Sequence, residues 1–144
     1  MTKKVKGTSA AKSTVQHLII QASQVETYDV DVPIFQREGV IDRNGYMLTA
    51  EALKNMDRAE VPIFLNFDYS KQIGVAVIDY KEGQGLGAKM KIMKNTQVRG
   101  LYPCLGFKVS KSKKVDDHFE YLGDSEALSI GICLASADAG AKPI

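Results

Sequence analysis

Between Val61 and Met93 the chain reads VPIFLNFDYSKQIGVAVIDYKEGQGLGAKMKIM, three β-prone runs separated by two polar interruptions. No other stretch limits the possible folds as tightly. Val61 to Phe67 is short and apolar, and Asp68-Tyr69-Ser70-Lys71 ends it with turn-forming residues. Gln72 to Tyr80 is the second run, with Ile73, Val75 and Val77 expected on one face and the small residues Gly74 and Ala76 on the other. Lys81 to Gly85 carries two glycines that can take a positive φ, which predicts a hairpin connection. In the third run Leu86, Ala88, Met90 and Ile92 alternate with Gly87, Lys89, Lys91 and Met93, the period of a strand wet on one side. A half-buried antiparallel meander is the expected product.

The rest of the chain reads as more short strands around this meander. Val15 to Ser23 predicts a first strand, and its His17 has no neighbours at metal-ligand or catalytic spacing. Tyr28 to Phe35 alternates Tyr28, Val30, Val32 and Ile34 with acids and Pro33, which suits an edge strand because proline donates no ladder hydrogen bond. Asp42-Arg43-Asn44-Gly45 signals a tight turn. Thr49 to Met56 is the one helix, capped by Thr49, with Ala52, Leu53 and Met56 as its apolar stripe. After a loop broken by Gly100 and Pro103, Cys104 to Lys111 alternates again. Lys111 to Lys114 with Asp116-Asp117 reads as a solvated hairpin tip. His118 to Gly123 and Ala127 to Ser136 are the last two expected strands, with a turn near Gly123-Asp124. The small face of the second, Ser129, Gly131, Cys133 and Ala135, predicts a close-packed neighbour.

Many short strands, regular turns and one helix give a mainly β fold, a small antiparallel barrel or folded sandwich with an extended N-terminal arm. A chain of 144 residues is long enough to close one core, and 44% hydrophobic with 25% charged residues is the balance of a globular domain. The expected division is an arm at 1–14, a β-rich domain at 15–136 and a tail at 137–144, ADAGAKPI, whose composition reads as unstructured. No apolar run has the roughly 18 residues of a membrane span, and no hydrophobic leader follows the first lysines, so the expected site of assembly is a cytoplasm. Cys104 and Cys133 are too few and too far apart for a zinc motif or a disulfide framework, and both fall in expected strands as small apolar residues. A bond between them or between subunits is the alternative. No metal site, phosphate loop or cofactor fingerprint is present.

Charge is uneven although the net value is only +2: Lys3, Lys4, Lys6 and Lys12 precede the first acid, Glu26. Such an arm buries too little surface to order alone, so these lysines are the expected contacts to a partner surface or a neighbouring copy.

Several features in order resemble the prohead maturation proteases of tailed bacteriophages, whose fold resembles the herpesvirus assemblin barrel. They are Gly39-Val40-Ile41-Asp42-Arg43-Asn44-Gly45 before the helix, Val61-Pro62, the aromatic-Asp pair Phe67-Asp68, Ile73-Gly74, Gly85-Leu86 and Ser129-Ile130-Gly131. The likeness spans roughly residues 39 to 134. In that family the residue before the Asp is the catalytic histidine and the serine of the Ser-Ile-Gly triplet is the nucleophile. Here Ser129 keeps the nucleophile position, but Phe67 stands where the base belongs. A serine hydroxyl needs a base within hydrogen-bond reach, and a phenyl ring cannot accept a proton. An alignment shifted by one residue puts Asn66 there, which is no better. His118 is the fallback base, if it lies on the strand next to Ser129.

Three readings follow. The first is a non-enzymatic capsid decoration protein on a prohead-protease-like fold, working at the virion surface against the major capsid protein and neighbouring copies. The second is an active serine prohead protease using Ser129. The third is a basic nucleic-acid-binding module built on the arm and on Lys108, Lys111, Lys113 and Lys114, which lack the interleaved aromatics of a stacking platform and are diluted by Asp116, Asp117 and Glu120.

Overall fold

The computed structural model describes residues 25–144. The arm at 1–14, with Lys3, Lys4, Lys6 and Lys12, and the strand expected at 15–23 lie outside the described residues.

Among the described residues seven strands and one short helix follow in the order β1 (Thr27–Arg37), β2 (Tyr46–Leu48), α1 (Ala50–Lys54), β3 (Glu60–Leu65), β4 (Gln72–Lys81), β5 (Gly85–Met93), β6 (Tyr102–Val115) and β7 (His118–Cys133). They make one sheet in the order β1-β5-β4-β3-β7-β2, with β6 on β7, curled into a half-barrel. The mainly β class is therefore correct, and a single curled sheet replaces the two layers of a sandwich. Most pairings are antiparallel, but β7 runs parallel to β3 over Ile130–Ile132 and to β2 over Phe119–Tyr121.

The meander forms as its sequence predicts. β3, β4 and β5 are consecutive antiparallel neighbours, and Gly83 at φ 76° and Gly85 at φ 135° turn the β4–β5 hairpin. Leu86, Ala88, Met90 and Ile92 are buried while Lys89 and Lys91 stay outside. Strand β4 shows which of its two faces turns inward. Ala76 pairs with Met90 and Ile78 with Ala88, so the small-residue face points into the core and Val77 is left 44% exposed. The reason is crowding: a Cβ at Gly74 would collide with the Lys91 carbonyl, so the inner face of this curve accepts little bulk there.

Helix α1 is one turn and a half, and Thr49 caps it by accepting from Ala52 N. The Thr49 hydroxyl also donates to Tyr121 O at 2.7 Å, which ties the helix start to β7. Ala52, Leu53 and Met56 are wholly buried in the core with Ile63, Ile78, Ile92, Ile130 and Ile132. The Asp42–Gly45 turn exists, with Gly45 at φ 81°, but it leads into β2 on β7 instead of a hairpin partner for β1.

Two boundaries differ from the sequence reading. Residues 118–133 form one strand of 16 residues, not two: the turn signal at Gly123-Asp124 is absorbed as an irregularity in the β6–β7 ladder, with Asp124 at φ 49°. The tail at 137–144 is pinned instead of loose. Asp138 is 5% exposed and accepts from Arg37 Nε at 2.8 Å and from Gly140 N at 2.9 Å. Further along, Ile144 N donates to Leu101 O and Gly100 N to Ile144 O, and the Ile144 side chain packs against the core.

Candidate functional site

Ser129 and Phe67, far apart in sequence, meet in the structure. Ser129 lies on β7 opposite Gly106 of β6. Phe67 lies in the turn from β3 to β4, where Asn66 at φ 52° and Phe67 at φ 57° both occupy the left-handed region. Two consecutive non-glycine residues there are uncommon and cost energy, so neighbouring bonds must hold them. Asn66 N donates to Ile132 O at 2.8 Å, and Asp68 N donates to Leu65 O at 2.9 Å. The Asp68 carboxylate accepts from Ser70 N at 3.0 Å and from the Ser70 hydroxyl at 2.6 Å, which holds its carboxyl below the usual carboxylate range. These bonds turn the Phe67 ring back over β7.

The ring comes to rest on glycine. A methyl group at Gly131 would fall 2.5 Å from Phe67 Cε2 and 2.6 Å from Cδ2 and Cζ, so the ring sits flush on backbone that has no side chain. A methyl at Gly106 would meet both Ser129 Oγ and Phe67 Cε1. Glycine inside a strand often marks such a close approach. Gly106 and Gly131 are thus the positions that let the aromatic ring and the serine share one small space. The sequence signal for them was present, in the Ser-Ile-Gly triplet and in a glycine interrupting β6, but it did not reveal which ring they receive.

Ser129 is 2% exposed, and its Oγ has no hydrogen-bond partner among the described residues. A hydroxyl buried without a partner costs on the order of 1–3 kcal/mol relative to one that is satisfied. The fallback base is not at hand. His118 lies eleven residues away on the same strand, pairs with Val115 at the hairpin tip and faces Glu120 at 3.2 Å. At about 3.3 Å per residue the two side chains are roughly 36 Å apart along β7. His17 is outside the described residues.

Next to the ring a cleft of about 400 Å³ runs past Phe67, Phe107, Tyr121, Cys104, Cys133 and Asp138. Its aromatic wall is continuous, since Phe107 meets Tyr121 edge-on and Tyr121 stacks on Tyr46 at 5.3 Å. Both cysteines are free thiols. Burial pushes the Cys104 thiol up to about 12 and raises that of Cys133 as well. Thiols held protonated at neutral pH are poor nucleophiles and poor metal ligands. Among the described residues no group of three or more His, Cys, Asp or Glu side chains is placed to hold a metal ion. No helix of the described residues is long and apolar enough to cross a membrane.

The lysines considered for nucleic acid stand on the β6–β7 hairpin beside acids, Lys108 at 3.7 Å from Glu126 and Lys113 at 4.0 Å from Glu120. No protein-family model, curated protein or solved structure matches this chain.

Proposed function

We propose that this chain is a non-enzymatic decoration protein of a phage capsid, a prohead-protease-like fold that holds an assembled shell by surface contact. One observation carries the reading: a phenyl ring packs against the backbone beside a buried serine, at the two positions where the resembled proteases keep a base and a nucleophile. Serine catalysis needs a hydroxyl that a substrate carbonyl can reach, a base to take its proton and donors for the oxyanion. Ser129 is buried, and among the described residues no base reaches its hydroxyl; it is left as a small side chain that fits under Phe67.

Without chemistry, such a subunit acts through contact area and copy number. Its partners under this reading are the major capsid protein and neighbouring copies, with the lysines at 3, 4, 6 and 12 supplying positive charge for the contact. Weak single contacts repeated around a symmetric shell add up through multivalency. Two experiments test the proposal. Incubation with a fluorophosphonate leaves Ser129 unmodified, and labelling at that residue would restore the serine protease reading. Removing residues 1–14 leaves the β domain folded and lowers the occupancy of the protein on purified capsids; unchanged occupancy would remove the arm from the proposal.

A further inference from the structure

Cys104 on β6 and Cys133 at the end of β7 share one face of the ladder. The register pairs Cys104 with Gly131 and Tyr102 with Cys133, so the two cysteines are diagonal neighbours. Diagonal neighbours lie on the same side of a sheet, and both cysteines line the cleft beside Phe67. The place directly opposite Cys104 is taken, because the Phe67 ring fills the space above Gly131. That ring leaves the Cys104 sulfur the side toward Cys133. There Cys104 Sγ donates to Ala135 O at 3.5 Å, two residues beyond Cys133.

We propose that Cys104 and Cys133 form a reversible disulfide within the chain, made by exchange with a low-molecular-weight disulfide such as oxidised glutathione. The free thiols of the structure are the reduced state of this pair. In a regular ladder diagonal Cα atoms lie roughly 7–8 Å apart, and a disulfide spans about 4.4–6.8 Å. The shortfall of about 1 Å falls where the ladder stops. Cys133 is the last residue of β7, and Leu134 and Ala135 after it are exposed bends. A strand end shifts by that much more readily than an interior rung does.

The order of attack follows from the surroundings of each sulfur. Burial raises both thiols, that of Cys104 to about 12, while the hydrogen bond with Cys104 draws Cys133 part of the way back. Cys133 is therefore the first nucleophile. Its thiolate attacks one sulfur of the glutathione disulfide, whose S–S bond breaks, and one glutathione leaves and takes up a proton. Cys104 then loses its proton, its thiolate attacks Cys133 Sγ, and the second glutathione leaves as a thiol. Two protein thiols become one disulfide, and one disulfide becomes two thiols. The bond would tie β6 to the root of the C-terminal segment, which the Arg37–Asp138 pair holds further along. This assignment rests on the cysteines alone and is independent of any role on a capsid.

Peptide mass mapping tests it on the full chain. The reduced protein is incubated with excess oxidised glutathione in mildly alkaline buffer, remaining thiols are blocked, and the digest is compared before and after reduction. A linked pair of peptides carrying Cys104 and Cys133, lighter by two hydrogens and derived from a single chain, is the expected product. Cys104→Ser and Cys133→Ser should each abolish it. A glutathione adduct that persists on either cysteine of the wild type, or thiols that react only after denaturation, would overturn the proposal. So would a cross-link found only between differently labelled chains in a mixed sample. A second measurement asks whether the fold accepts the bond. The oxidised chain should unfold at a higher urea midpoint, and dithiothreitol should reverse the gain. An unchanged or lower midpoint would mean that the bond forms only by distorting the ladder, and the pair would lose its claim to be a built cross-link.

Discussion

Two buried polar groups in this protein have opposite surroundings. Asp138, in the C-terminal segment, is 5% exposed and takes bonds from both Arg37 Nε and Nη2, at 2.8 and 2.5 Å, and from Gly140 N. Ser129, in β7, is 2% exposed and its hydroxyl has no partner among the described residues. A buried charge is kept only when it is paired, so the carboxylate at 138 must contribute order to the segment that carries it. A buried hydroxyl without a bond gives nothing back for its desolvation. At position 129 it is the small volume that the fold uses, because the Phe67 ring needs the room.

This contrast breaks or sharpens under substitution. Arg37→Ala leaves the Asp138 carboxylate buried without its cation, which is typically worth 3–5 kcal/mol when both partners are buried. The Arg37 side chain is 41% exposed, so solvent screening lowers the expectation to about 2–3 kcal/mol, read as a shift in urea midpoint. The same pair sets an acid dependence. Arg37 holds the Asp138 carboxyl below its ordinary range, chiefly through the side-chain hydrogen bond. Its stabilisation is therefore complete above the unfolded value near 4 and is lost as pH falls through the lower folded value. Wild type and Arg37→Ala should differ most at neutral pH and converge in acid; a constant difference down to pH 2 would mean the pair is not its source.

Gly131→Ala drives a methyl into the Phe67 ring and should cost about 1–2 kcal/mol as overpacking. A double-mutant cycle with Phe67→Ala should return most of that loss, since the two residues touch. Additive effects would show that the ring is not what Gly131 makes room for. The smallest change is expected at the orphan hydroxyl. Ser129→Ala should leave stability within about 0.5 kcal/mol or raise it slightly, because it removes an unpaired polar atom and almost no volume. A loss of more than 2 kcal/mol in thermal unfolding would reveal a bond to that oxygen and revive its claim to function.

The sequence disclosed local features better than distant ones. The β4–β5 hairpin and the face of β5 follow from glycine placement and a clean alternation of Lys with apolar residues. The cap at Thr49 and the buried stripe of α1 were legible for the same reason, each being set within a few residues. The facing of β4 was not, because valine and small residues alternate there and only the curvature against β5 decides which side turns in. Nor was the order of the C-terminal segment. Ala, Gly, Asp and Lys predict a loose end, and the arginine that pins it is 101 positions earlier. At the candidate site the sequence named both residues, Phe67 and Ser129, through the resemblance. What it lacked was the backbone: two left-handed residues and two glycines bring the ring onto β7, and His118 stays at the far tip of the same strand.

The length of β7 has a mechanical consequence. It is bonded to β6 along nearly all of one edge, and on the other edge to β2 near its start and to β3 near its end. A pull on the hairpin tip at Asp116-Asp117 would load these rungs in shear, so that many must yield together instead of opening one at a time. Stretching single molecules between that tip and β4 should give one high-force rupture, as expected of a tie-rod running through the half-barrel.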